Sequence, residues 1–335
     1  MTRPLALLAI SLSLPGFAQD SAVKIRAEIQ RVRQALEARP WAGTDFASMQ
    51  SSVEGQLKAA EAALEAGRFY ASLEKTGQAA ELVGGVQEAM EKAGGVKDSL
   101  PAFEAEWGKV SQGLSGLERE LKATNWSDSP LALRAMSETE LVKTTPMLEG
   151  GRGFATSTRA SDGLFYLGHA QAMAEFSRFC AALKMPRKGR ALPLRSLLPE
   201  LQALQEKTNA AFQPPRSIEQ HPRFIALNGT LKLARELDAA KYYAGSLYQY
   251  LEAVRTYALL DPVASNADAA ALRRRVDESP EDTSIAQIFL ERTELDPAIA
   301  ARVVDAFFAV RNPAAPIKAL PGKTVELTLV RWPYT

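Results

Sequence analysis

The stretch Leu64-Glu65-Ala66-Gly67-Arg68-Phe69-Tyr70-Ala71-Ser72-Leu73 ends one helix and starts another, and it has an echo at Leu237-Asp238-Ala239-Ala240-Lys241-Tyr242-Tyr243-Ala244-Gly245-Ser246-Leu247. Upstream of the first copy, Gln56 to Leu64 is made of strong helix formers. Gly67 supplies the positive φ that closes a helix and that other residues avoid. Phe69 and Tyr70 open the next helix, whose small face carries Ala71, Ser72 and Ala79. Small residues at a crossing let antiparallel helices approach, and aromatics fill the wedge beside the turn. The second copy keeps the acid, the alanine, the base and the aromatics, with Ala240 in the place of Gly67. A recurring two-helix unit is how a helical array looks in sequence. The expected fold class is therefore all-α, antiparallel helical hairpins stacked in a repeat-like way, a solenoid being one such arrangement.

The rest of the chain reads as further helices. Ser21 to Ala38 is amphipathic through Val23, Ile25, Ile29, Val32 and Leu36, and Pro40 stops it. Gly84-Gly85 is a candidate break in the second helix. Ser99-Leu100-Pro101 starts a helix toward Ala123 with Trp107, Val110, Leu114, Leu117 and Leu121 as its stripe. Ser129-Pro130 repeats that start signal, and the helix is expected to stop before Pro146. Glu149 to Thr158, with Gly150, Gly151 and Gly153, reads as a loop. It lacks the preceding strand or spaced lysine that a phosphate cradle needs. Asp162 to Leu183 is the most apolar helix and is expected at the centre. Met185-Pro186-Arg187-Lys188-Gly189-Arg190 reads as a basic, solvated linker. Helices then follow over Pro193–Phe212, Ser217–Ala240, Tyr242–Leu260, from Ser265-Asn266-Ala267-Asp268 to Ser279-Pro280, Thr283–Thr293 and Asp296–Val310. Pro321-Gly322 and the alternation over Thr324–Trp332 predict a short terminal β-hairpin or strand.

Some of these residues resemble the tetratricopeptide repeat. Gly67, Phe69, Ser72 and Ala79 stand at the spacings of its turn and second helix. Tyr166, Leu167, Gly168 and Ala170 look like the start of another unit's first helix, and Leu260-Asp261-Pro262 like a unit's end. The chain departs from the pattern in spacing, its two hairpins lying about 173 positions apart rather than at multiples of 34. The first hairpin also lacks the closing proline and the second lacks the turn glycine.

Residues 1–18 read as a secretory signal peptide. Arg3 gives the positive start, Leu5 to Leu14 the apolar run, and Gly16-Phe17-Ala18 the small-x-small cleavage site. No later run is long and apolar enough to span a bilayer. Cleavage after Ala18 leaves 317 residues (335 less 18), enough for one elongated helical domain or two compact ones. The expected division is a helical half over 19–185, a second over 186–312 and a β-like tail over 313–335. The net charge of +1 gives no drive toward nucleic acid or anionic membrane. Cys180 is the one cysteine, on an apolar helix face, and is expected to be buried and inert.

The inventory excludes most metal and nucleophile chemistry. There are two histidines, His169 and His221, with no zinc motif, calcium loop or Gly-x-Ser-x-Gly elbow. No catalytic residue, metal or cofactor is assigned. A carboxylate pair that meets only in space stays open. The strongest binding candidates lie on one helix. Tyr243, Tyr250 and Tyr257 are seven apart and fall on one stripe, which serves either as a core seam or as a groove wall. Lys241 and Arg255 lie close by and suit an acidic or peptide ligand.

The expected function is that of an exported, non-catalytic helical-repeat protein which binds a partner polypeptide in the cell envelope. Two other readings stand beside it. One is an enzyme acting on envelope polymers or lipids with a carboxylate in a helical cleft. The other is a helical module for a small apolar ligand. The ligand and the oligomeric state are not written in the sequence.

Overall fold

The computed structural model describes residues 16–213, 218–261 and 268–311. Among them are twelve α-helices, two short 3₁₀ turns and no strand, so the chain is all-α. The β-like tail and nearly all of the expected signal segment lie outside the described residues. No helix is long and apolar enough to cross a membrane among those described.

The first helix, α1 (Gly16–Glu37), lays Ile25, Ile29, Val32 and Leu36 on the hairpin α2 (Ala47–Glu65) and α3 (Phe69–Val96), while Val23 points away and is exposed. Next come α4 (Leu100–Ala123), α5 (Leu131–Ser157) and α6 (Leu164–Ala182), with a 3₁₀ turn joining the last two. The apolar α6 is central, as its composition predicts, and packs extensively on both α3 and α5. Beyond the linker, α7 (Leu198–Ala211) packs on the second hairpin, α8 (His221–Ala239) and α9 (Tyr243–Leu260). The α9 helix packs on α5. The chain closes with α10 (Ala269–Asp277), α11 (Ser284–Glu291) and α12 (Pro297–Arg311). Of these, α12 covers α9, and α11 reaches across to α3 and α5. One apolar core runs from Ile25 to Val310, so the segments on both sides of the linker share it.

Two expected breaks are helical. Gly84-Gly85 does not interrupt α3, because that is where α3 crosses α6: a Cβ on Gly84 would come within 2.6 Å of the Ala172 Cβ, and one on Gly168 within 2.3 Å of the Gly84 carbonyl oxygen. The expected loop over Glu149–Thr158 is also wrong. The α5 helix continues through Pro146 to Ser157, and a Cβ on Gly151 would meet Tyr166 at 2.8 Å. These glycines serve close approach, which overrides their cost inside a helix.

The two hairpin turns are one structure written twice. Arg68 N–H donates to the Ala63 carbonyl and Gly67 N–H to that of Leu64; Tyr242 N–H donates to Leu237 and Lys241 N–H to Asp238 in the same way. This double closure ends α2 and α8 through a left-handed residue. Gly67 holds that position in the first turn (φ 72°) and Lys241 in the second (φ 64°). The structural register is therefore Gly67 with Lys241, one residue later than the sequence echo that paired Gly67 with Ala240. The next helices also match. Neither α3 nor α9 has a side-chain cap of its own, and each takes a carboxylate from far away. Ala71 N–H donates to Glu291 (2.9 Å) and Gly245 N–H to Glu138 (2.8 Å).

Candidate functional site

The first of these turns forms one wall of a cleft of about 550 Å³. Phe69 and Tyr70 stand on the turn side, Met185 and Pro186 on the linker, and Val276 and Leu290 on α10 and α11. The cleft is organised by capping. Pro130 gives α5 no side-chain cap, so Asp282 and Ser284 supply one from the start of α11: Leu131 N–H donates to Asp282 (2.7 Å) and Ala132 N–H to the Ser284 hydroxyl (2.9 Å). The hydroxyl on Ser129, expected as the cap, is not the one used. With Glu291 seated on α3 and Asp282 on α5, α11 is pinned at both ends and the cleft is left beside it.

Three cations, Arg68, Lys188 and Arg273, line this cleft, and none has an ion pair among the described residues. Arg68 donates to the Glu291 carbonyl (3.0 Å) and Arg273 to the Leu290 carbonyl (2.8 Å). Three carboxylates share the lining: Asp282 accepts its caps, Glu291 the Ala71 amide, and Asp277 the Gln287 side chain at 3.4 Å. Burial pushes the Glu291 carboxyl up to about 7, against the amide bonds from Ala71 and Tyr70 that favour its charged form. Apolar walls with a few convergent polar groups and one perturbed carboxyl are the usual composition of a binding site.

A second polar assembly lies between α3, α5 and α6, beside α9. His169 Nε2 and Glu81 are 3.1 Å apart, and Lys143 reaches both Glu140 (2.9 Å) and Glu81 (3.6 Å). Burial pushes Glu140 up, and the charge of Glu81 adds to this. Glu81 itself is held low because Lys143 and His169 outweigh its burial. Glu81 and Glu140 thus lie hydrogen-bonded side by side over the shared Lys143, rather than spaced across a cleft as a carboxylate-pair hydrolase needs. They face a cavity of about 100 Å³, room for a few waters. Next to it Arg292 is paired with Glu74 and Glu252 and lies over the Phe289 ring at 4.7 Å. These charges tie α11 to α3 and α9.

The five residues named from the sequence do not meet in one place. Tyr250 and Tyr257 are half-buried against the main core, and Arg302 of α12 lies 5.9 Å from the Tyr257 ring. Burial raises the Tyr250 phenol, and the Glu200 carboxylate adds to it. Tyr243 is half-buried at the start of α9. Arg255 pairs with Glu252 (2.6 Å) in the charged assembly. Lys241 stands at the second turn, on a different cavity from the one described above. The cleft's own residues were in view as a turn and a basic linker, but nothing local showed that α11 would fold against both. No family model matches the chain, and no curated protein or solved structure matches it either.

Proposed function

We propose that the protein is an exported, non-catalytic binding protein that takes a segment of a partner polypeptide into the first-turn cleft. An apolar side chain of the partner fills the space between Phe69 and Leu290, and flanking acidic residues meet Lys188 and Arg273. The observation that carries this is the pairing of apolar walls with three cations that make no direct ion pair among the described residues. A buried anchor with a charged rim is how short segments are held. The equivalence of the two turns supports reading the hairpins as copies of one two-helix unit. The amino-terminal pattern of Arg3, the apolar run and Gly16-Phe17-Ala18 supports export to the envelope.

The test is co-purification from the envelope fraction with two variants beside the parent. Gln287→Trp fills the cleft from its wall, and Lys188→Glu reverses a charge on an exposed side chain. The expected result is one polypeptide retained by the parent and lost from both variants. Its retention by both would overturn the proposal. The cleft volume also suits a small amphipathic acid. Calorimetry with decanoate separates the two readings, because saturable binding with no co-purified polypeptide favours the small ligand.

A further inference from the structure

The second turn carries a side chain that the first does without. Lys241 holds the left-handed position that glycine fills in the equivalent turn, and its ammonium makes no hydrogen bond or ion pair with a described residue. Lys241 lines a cavity of about 850 Å³ between the turn, the end of α4, the start of α5 and the linker. Lys122, Arg134 and Arg187 reach the same cavity from those three elements. The linker thus divides its charges, with Lys188 lining the first cleft and Arg187 this one.

Two of these four cations are paired, and Lys241 and Arg187 have no ion pair among the described residues. Lys122 pairs with Glu118 at 2.7 Å. Arg134 gives its Nε to Glu138 (2.6 Å), and its two Nη groups make no hydrogen bond to a described residue. Among the described residues Arg187 donates to the carbonyls of Ser127 and Gly189 and makes no ion pair. The one carboxylate of the lining, Glu138, is already committed to Arg134 and to the amide of Gly245. Beside the cations stand two rings, Trp126 and Tyr242, and the Tyr242 hydroxyl has no partner among the described residues. Like charges gathered from four segments repel one another, and an anion of the right size relieves the repulsion. A flat body lying on an aromatic face adds contact area at little entropic cost.

We propose that this second-turn cavity binds a small organic polyanion, carrying carboxylate or phosphate groups on a flat body that lies against Trp126. Lys241 and the free edge of Arg134 take one charged group, and Arg187 and Lys122 take another. This accounts for a lysine where the fold alone asks for glycine. The site stands apart from the first-turn cleft and does not rest on what occupies that cleft.

Calorimetric titration of the full chain with pyrophosphate, citrate and benzenetricarboxylate, at low and high salt, tests this. At least one is expected to bind with one-site stoichiometry, more weakly at high salt. Tighter binding of pyrophosphate assigns a phosphate ligand, and tighter binding of the tricarboxylate a carboxylate. Lys241→Gly is expected to weaken binding about tenfold, the scale of one charge-assisted contact, without lowering the melting temperature. Lys241→Asn, which also tolerates the left-handed backbone, is expected to behave alike. No heat from any of the three anions, unchanged affinity in both variants, or a lowered melting temperature for Lys241→Gly would each overturn the proposal.

Discussion

Gly67 and Lys241 hold the same position in two copies of one turn, with φ of 72° and 64°. The residues around them agree in detail. The helix-ending alanines, Ala66 and Ala240, have φ/ψ of −80°/3° and −77°/−2°, and the helix-opening residues, Arg68 and Tyr242, have −91°/75° and −88°/68°. The same geometry is reached by a residue that enters the left-handed region freely and by one that is strained there.

A strain difference of this kind is measurable. Left-handed backbone costs a non-glycine residue roughly 1–2 kcal/mol, and the greater freedom of glycine in the unfolded chain returns part of that. Lys241→Gly is therefore expected to stabilise the protein slightly, by up to about 1 kcal/mol. Gly67→Ala is expected to cost about 1 kcal/mol, since nothing but the backbone opposes the new Cβ. Urea denaturation of both variants checks the opposite signs.

Glu291 makes stability depend on pH in a particular direction. Folded, it keeps its proton up to about pH 7, against 4.5 for an ordinary glutamate. Between these values the folded chain binds the extra proton, so stability falls as pH rises. The contribution is whole below about 4.5 and lost as pH passes through about 7, on the order of 3 kcal/mol at most. Glu291→Gln keeps an oxygen for the Ala71 amide and removes the titration. Melting curves of this variant are expected to lack that part of the slope and to lie above the parent at pH 8.

Helix positions were legible in this sequence because periodicity and proline placement are local. The stripe of α4 and the start at Asp296-Pro297 came through on those signals. What closes the helix starts was not legible. The cap of α5 is Asp282 and that of α3 is Glu291; the backbone N–H of Leu197, which opens α7, donates to Asp238 at 2.7 Å. Each acceptor is tens of residues or more from the helix it serves, so no window along the chain contains both. Glycine misled for a related reason. Gly84 and Gly151 look like breaks until the partner helix is in place. The tyrosine stripe of α9 was sound as a spacing, but α12 and its Arg302 decide what lies over it.

The carboxylate pair of the charged assembly divides into a group that can be replaced and one that cannot. Burial and Glu81 keep Glu140 largely protonated, so Glu140→Gln exchanges one neutral hydrogen-bonding group for another. Its stability at neutral pH is expected within about 1 kcal/mol of the parent. Lys143→Met removes the cation that both acids share. Glu81, which stays charged, then loses its buried cation, at a cost of roughly 3–5 kcal/mol. Chemical denaturation of the pair of variants separates these cases, and equal losses would show that the shared lysine is not what holds the acids.

Asp282 tests remote capping most directly. It is almost fully buried, and its two oxygens accept from Leu131 at 2.7 Å and Ser284 at 2.9 Å, so one side chain starts both α5 and α11. Loss of a single cap costs about 1 kcal/mol, up to about 2. Asp282→Ala strands two buried amide groups together, so a loss of about 2–4 kcal/mol is expected. Asp282→Asn keeps an acceptor oxygen and is expected to recover about half of it. Hydrogen exchange gives the finer reading. The first turn of α5 and all of α11 are expected to lose protection in Asp282→Ala, while the first turn of α9, capped by Glu138, stays protected. Uniform loss across all three helices would mean that the caps act through global stability alone.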